Sequence, residues 1–283
     1  MTHEGSYDTT TVSRLQRAQG AIRSTGGYAW LGTNKQTTGF ASNQLWQWKD
    51  AGLNHLFPDA VRSRSKVQDI LSTDASRGSA LGYSLALLAA DIADDPIRRW
   101  KSAPIVYCSV GRTEHDDGVF HGWGLQQFGL SPERFILLRC HKPKDLWFAL
   151  EETLSCTAVA GVIADLDAAS SAKTDNRVGR RLNLACEAAQ RPLLMIRSEN
   201  QGVMPTAWNS WRVASAPSAE LQAPQWSVEL LRSKSGAVPL TTKVTWDAKR
   251  HRLHLATELA DDRLDPAYEP SGADIIQFAK AAS

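Results

Sequence analysis

Between residues 66 and 198 short apolar runs alternate with longer amphipathic stretches. The runs "KVQDILS" (66–72), "APIVYCSV" (103–110), "RFILLRC" (134–140), "TAVAGVIADL" (157–166) and "RPLLMIRS" (191–198) read as strands. The first is followed by a helix over 79–93, with Leu81, Leu85, Leu88 and Ile92 on one stripe. A short helix is expected near "WGLQQFG", a longer one over 143–154 that aligns Leu146, Leu150 and Leu154, and another over 177–190. Continuous rather than alternating apolar strands indicate burial on both faces, and helices between them return the chain to the same end of a sheet. Right-handed crossovers of this kind build a doubly wound, mostly parallel α/β core.

The texture changes on either side. After residue 205, "NSWRVASAPS", "PQWSVELLRSKSG" and "TTKVTWDAKRHRLHLATE" read as strands joined by turns, with a hairpin around Asp247–Arg250. They predict an antiparallel extension on one edge of the parallel sheet. Residues 1–60 form an N-terminal arm, with one short helix over 11–24 and a cluster containing Trp46, Trp48, Leu53, Leu56 and Phe57. Large apolar groups in a polar arm pack against something, either the chain's own core or a partner. Residues 61–260 make the core domain. Residues 261–283 form a Pro/Asp-rich tail ending in Ile275, Ile276 and Phe278, which dock on this chain or on another protein.

Composition narrows the classes. A chain of 283 residues, 42% hydrophobic and 22% charged, suits one ordinary core with extensions. With 32 basic against 30 acidic residues the formal charge is +2, so bulk electrostatics does not select nucleic acid as a partner, and any DNA contact is weak or indirect. No apolar run approaches the ~18 residues of a membrane-spanning helix, and the polar N-terminus has no signal-peptide core. A cytoplasmic location is expected. Cys108, Cys140, Cys156 and Cys186 are widely spaced and read as small reduced side chains. "EHDDGVFHGWG" gathers Glu114, His115, Asp116, Asp117 and His121, but in a glycine-broken loop without helical ligand spacing, so no metal is expected. No G-x-S-x-G or Cys–His nucleophile pattern occurs.

The ordered series of strand, loop and helix followed by "GLSPERFILLR", "PKDLWFALEETLSCTAVAGVIADL", "RRLNLACEAAQRPLLMIR", "WRV", "WSVELLRSKSG" and "VTWDAKRHRLHL" resembles the ImuA family over roughly residues 66–260. These are RecA-like accessory proteins of bacterial inducible-mutagenesis cassettes, distantly similar to RecA and to the SOS cell-division inhibitors. The resemblance implies a RecA-like core and a nucleoid-associated role in SOS-induced, error-prone translesion synthesis. It implies as partners an ImuB-type Y-family-like protein, an error-prone replicative-type polymerase and RecA.

RecA-type proteins hold triphosphate in G-x-x-x-x-G-K-[ST], where loop amides wrap the phosphates, the lysine neutralises charge and the hydroxyl ligates magnesium. Laid on "TDASRGSA", the first glycine falls at Thr73 and the second at Gly78; Ser79 stands at the lysine position and Ala80 at the hydroxyl position. Arg77 is the neighbouring cation. Loss of these groups implies no hydrolysis and no cofactor, with weak phosphate binding still allowed by the loop and helix N-terminus. Asp165 takes the Walker-B place, either as a magnesium carboxylate or as a strand-end group bonding the loop; Glu114 falls near the water-activating glutamate. Arg232 and Lys234 match the basic pair that reaches a neighbouring subunit in RecA filaments, and otherwise solvate a strand end. The loop after "LLMIR" is short and carries Glu199, whereas the earlier loop offers Lys173 ahead of Arg177, Arg180 and Arg181, which share one helical face. That face is solvated, or meets phosphate or an acidic partner. Three readings follow: a non-catalytic assembly factor, a RecA-class DNA-dependent ATPase, and an SOS division inhibitor. Self-association through a free sheet edge stays open.

Overall fold

A computed structural model describes residues 46, 50–57, 62–94, 100–110, 120–166, 176–218, 223–237 and 239–256. Nine strands form one sheet in these residues. They are β1 (Val67–Ser72), β2 (Ile105–Val110), β3 (Phe135–Cys140), β4 (Gly161–Leu166), β5 (Leu193–Ser198), β6 (Asn209–Ala216), β7 (Gln225–Ser233), β8 (Leu240–Asp247) and β9 (Arg252–Leu255). Their spatial order is β3-β2-β4-β5-β1-β6-β7-β8-β9. The strands from β3 through β6 pair in parallel, and β7, β8 and β9 are antiparallel. A mostly parallel, helix-flanked sheet with antiparallel C-terminal strands is compatible with a RecA-like fold. The helices are α1 (Ala51–Leu56), α2 (Arg77–Ala93), α3 (Gly122–Gln127), α4 (Pro143–Ser155) and α5 (Asn176–Ala189).

The two sheet faces carry separate cores. On one face α4 and α5 bury Leu146, Leu150, Leu154, Leu182 and Cys186 against Val106, Cys108, Val162 and Met195. On the other, α2 is buried from Tyr83 to Ile92, nearly all round, more than a single apolar stripe provides. The cause is the antiparallel extension, which curls over the helix rather than only prolonging the sheet. Trp226 of β7 meets Tyr83 edge-on, with ring centroids 6.0 Å apart, and closes on the Cβ-less Gly82. Trp246 of β8 donates its Nε1–H to the Gln127 carbonyl at 3.0 Å, tying the extension to α3.

The extension begins later than the sequence pattern suggests. β6 runs parallel to β1, from Gln68↔Asn209 to Leu71↔Arg212, so it is a sixth parallel strand. β5 and β6 flank β1 on opposite sides, and residues 199–208 return the chain without a helix. A 3-10 turn (Glu199–Gln201) and Gly202, at φ +65, start that return. The crossover leaves polar groups inside the sheet that must find partners. Gln68 Oε1 accepts from Asn209 Nδ2 (2.9 Å) and Trp211 Nε1 (3.0 Å). Asp69 accepts from Arg197 Nη1 (3.0 Å), the Met204 amide (2.8 Å) and Ser210 Oγ (3.0 Å). Burial pushes the Asp69 carboxyl up, against the pull of the Arg197 guanidinium.

Trp46 is 2% exposed and packs in the α2 core with Leu53 and Phe57, whose ring meets Trp211 edge-on at 5.4 Å. It is therefore a core residue and not a docking face: Arg62 holds it by accepting its amide proton and donating Nη1–H to its carbonyl. β3, an edge, is only half-buried. All four cysteines are free thiols, and burial, with Cys140 alongside, pushes Cys108 up to about 12.

Gly179 is where α5 meets the returning segment, since a Cβ there would stand 2.7 Å from both Thr206 Cβ and Met204 Cε. Gly179→Ala should cost about 1–3 kcal/mol by overpacking, despite alanine's better helix propensity. Urea unfolding reads this directly; an unchanged midpoint would show that residues 204–206 yield freely.

Candidate functional site

The turn that follows β1 is tight. Thr73 sits at φ −68 and ψ 162, and its Oγ1 accepts from the Ser76 amide at 3.2 Å, capping a 3-10 turn (Asp74–Ser76) that runs straight into α2. Neither glycine position of a phosphate loop demands glycine here. Thr73 is in ordinary extended backbone, and Gly78 lies inside the helix, where an added Cβ would meet nothing within 4 Å. Gly78 is thus a helical residue and not part of a turn. Ser79 is half-buried, and Ala80 is fully buried in the apolar core.

Arg77 turns inward. It is 4% exposed, and its Nη2 donates to Asp165 Oδ1 and to the Leu166 carbonyl, the latter at 2.5 Å. Tyr107, from β2, donates its hydroxyl to the other Asp165 oxygen at 2.7 Å. Asp165 itself is 3% exposed at the end of β4. Both carboxylate oxygens are therefore engaged by side chains of this chain, one of them a cation. Among the described residues Asp165 accepts these hydrogen bonds from Arg77 and Tyr107. Arg77 Nε and Nη1 are also buried and make no hydrogen bond among the described residues.

These residues do not fit a magnesium triphosphate as a RecA-type loop holds one. The position that would offer a metal-binding hydroxyl is a core methyl group, and the position of the lysine carries a serine. The carboxylate that would face the metal is neutralised by an internal guanidinium, and the arginine bridges from the start of α2 to β4, two strands from β1. The tyrosine was not singled out from sequence, although strand alternation places Tyr107 on the face of β2 shared with Ser109, the register partner of Asp165.

A second constellation forms where the sequence suggested two. Arg177, Arg180 and Arg181 are exposed near the start of α5, but they diverge. Arg181 pairs with Glu151 of α4 at 2.7 Å. Arg180 instead lies in the electrostatic reach of Lys234, beyond the end of β7, with Arg232 and Lys66. Lys234 does not extend outward: its amide donates to the Trp208 carbonyl and its Nζ to the Thr206 carbonyl at 2.7 Å. Burial, then Arg232, Lys66 and Arg180, holds its ammonium below the usual lysine range. Lys66 lies 4.6 Å from the centre of the Trp208 ring and pairs with Glu187. Lys66 and Trp208 carry no sequence signal for this role, because nothing local brings residue 66 near residue 234. Trp48, Ile275, Ile276, Phe278, Glu114 and Lys173 lie outside the described residues. No helix among the described residues is long and apolar enough to cross a membrane.

Breaking a buried ion pair from one side strands the other charge, at about 3–5 kcal/mol, whereas replacing both partners by apolar groups is close to neutral. Arg77→Ala should therefore destabilise the protein by about that amount, and the double variant Arg77→Met, Asp165→Leu should recover most of it. Denaturant melts of the three proteins test this. Equal midpoints for the single and double variants would remove the pair from any structural role.

No family model matches the chain. Among curated proteins it is similar to Protein ImuA of Caulobacter vibrioides, in strains NA1000/CB15N and ATCC 19089/CB 15. Each is 30% identical over 136 residues, covering 40% of this chain and 51% of the relative. The chain spans about half the length of the curated relatives it matches, and over that part it is ImuA-like.

Proposed function

We propose that this protein is a non-catalytic, RecA-like accessory factor in damage-inducible mutagenesis. In this reading it assembles the machinery of error-prone translesion synthesis by docking an ImuB-type Y-family-like protein, an error-prone replicative-type polymerase and RecA. The likeness to Protein ImuA supports the general setting. The buried Arg77–Asp165 pair is the observation that carries the rest. Phosphoryl transfer needs a cation delivered to the β/γ-phosphates and a metal held by hydroxyl and carboxylate. Here the available cation and carboxylate satisfy one another, and the hydroxyl is absent. A protein with that arrangement contributes surfaces, not turnover.

Purified protein should hydrolyse ATP no faster than a blank with magnesium, with or without single-stranded DNA. Cells carrying Arg77→Met, Asp165→Leu at normal protein levels should keep damage-induced mutagenesis at the wild-type frequency. Magnesium-dependent turnover abolished by Asp165→Leu would overturn the reading. Deleting residues 268–283 should abolish capture of a Y-family-like partner while leaving the melting temperature unchanged; retained capture removes Ile275, Ile276 and Phe278 from partner binding.

A further inference from the structure

Beyond the phosphate loop, the C-terminal half of α2, the segment after α3 and the β8–β9 turn enclose a cleft of about 500 Å³. Its floor is apolar, made by Ala89, Ile92 and Ala93 of α2 with Phe128 and Leu130. Its rim carries Lys101, Arg134 and His251, and among the described residues no acidic side chain lines it. Such a surface combines a dry seat with one sign of charge.

The rim is held in place. Arg134 donates Nε–H to the Ala103 carbonyl at 2.9 Å, and Nη2–H to the carbonyls of Trp100 (2.6 Å) and Ala103 (2.8 Å). These bonds orient the guanidinium, yet no carboxylate pairs with it among the described residues. It is a half-buried cation without a counter-ion among the described residues, and burial holds it below the usual arginine range. His251 is set by unusual backbone on both sides of the contact. It adopts φ +48, its ring stacks with Trp246 at 6.3 Å and 20°, and it lies against Gly129, at φ +70. A Cβ on Gly129 would stand 2.6 Å from His251 Nε2. Two of the five left-handed residues among those described thus build the rim of one cleft.

We propose that this cleft docks an acidic segment of a partner protein. One aromatic side chain of the partner sits on the floor formed by α2 and Leu130, and flanking carboxylates meet Arg134 and Lys101. Charge complementarity selects the occupant: a guanidinium already fixed by backbone carbonyls pairs with a carboxylate at little further cost in order. The cleft volume suits one large side chain and its neighbours. The inference deepens the accessory-factor reading and rests on it only for the existence of a partner. Its test uses neither nucleotide nor mutagenesis, so the two fail separately.

The probe is a fluorescein-labelled tetrapeptide, DDFD, with an amidated C-terminus, titrated with the full chain and followed by anisotropy. Saturable binding is expected, with NNFN and DDAD each weaker by about tenfold, which corresponds to ~1.4 kcal/mol. Lys101→Glu, at an exposed rim position, should weaken DDFD by about fivefold without changing the melt. Ala93→Trp should fill the floor and abolish binding; should that variant melt early, Lys101→Glu carries the test alone. Arg180→Glu, in the separate cluster on α5, should have no effect. Equal affinity for NNFN, absence of saturable binding, or loss with Arg180→Glu but not with Lys101→Glu would each overturn the proposal.

Discussion

Arg77 and Asp165 meet at the mouth of the sheet, one at the start of α2 and the other at the end of β4, with almost no water reaching either. Neither charge is tolerable there alone, because desolvation of a single ion costs several kcal/mol. Together, with the Tyr107 hydroxyl and the Leu166 carbonyl taking up further hydrogen bonds, they form a strut from the start of α2 to the neighbouring strands β4 and β2. The turn that leads to the strut is a capped 3-10 turn running directly into α2, with Gly78 inside the helix.

The same rule, that buried polar groups bring their own partners, governs the middle of the sheet. Gln68 and Asp69 lie on the central strand with no exposure, and their partners come from β5, β6 and the segment between them, with the Ser63 carbonyl accepting from Gln68 Nε2. The parallel register of β6 sets Asn209 beside Gln68 and Ser210 beside Asp69, and the Trp211 indole reaches back to Gln68. By contrast, two groups of cations nearer the surface have fewer carboxylate partners among the described residues. The cations around Lys234 outnumber Glu187, and Arg134 has backbone carbonyls but no carboxylate among the described residues.

Much of the architecture was legible from pattern alone. The helix read over 79–93 forms at Arg77–Ala93, and the one over 143–154 at Pro143–Ser155. The strands of the parallel core fall within the expected runs; the largest difference is that residues 157–160 precede β4 as a turn, where the Ala160 amide donates to the Pro104 carbonyl. That a serine and an alanine stand at residues 79 and 80 is read directly from the sequence. What periodicity could not supply was strand direction for β6, because "NSWRVASA" alternates in the same way whether its neighbour runs parallel or antiparallel.

The chain's own order of residues determined which segments are strands and helices, because burial on one or two faces imprints a period. Tertiary structure alone decided that Arg77 points inward, that Trp46 belongs to the core, and that Arg180 and Lys234 share one cluster across more than fifty residues of sequence. Those outcomes depend on where distant backbone ends meet, and a side chain's partner is set by that distance rather than by its neighbours in the chain.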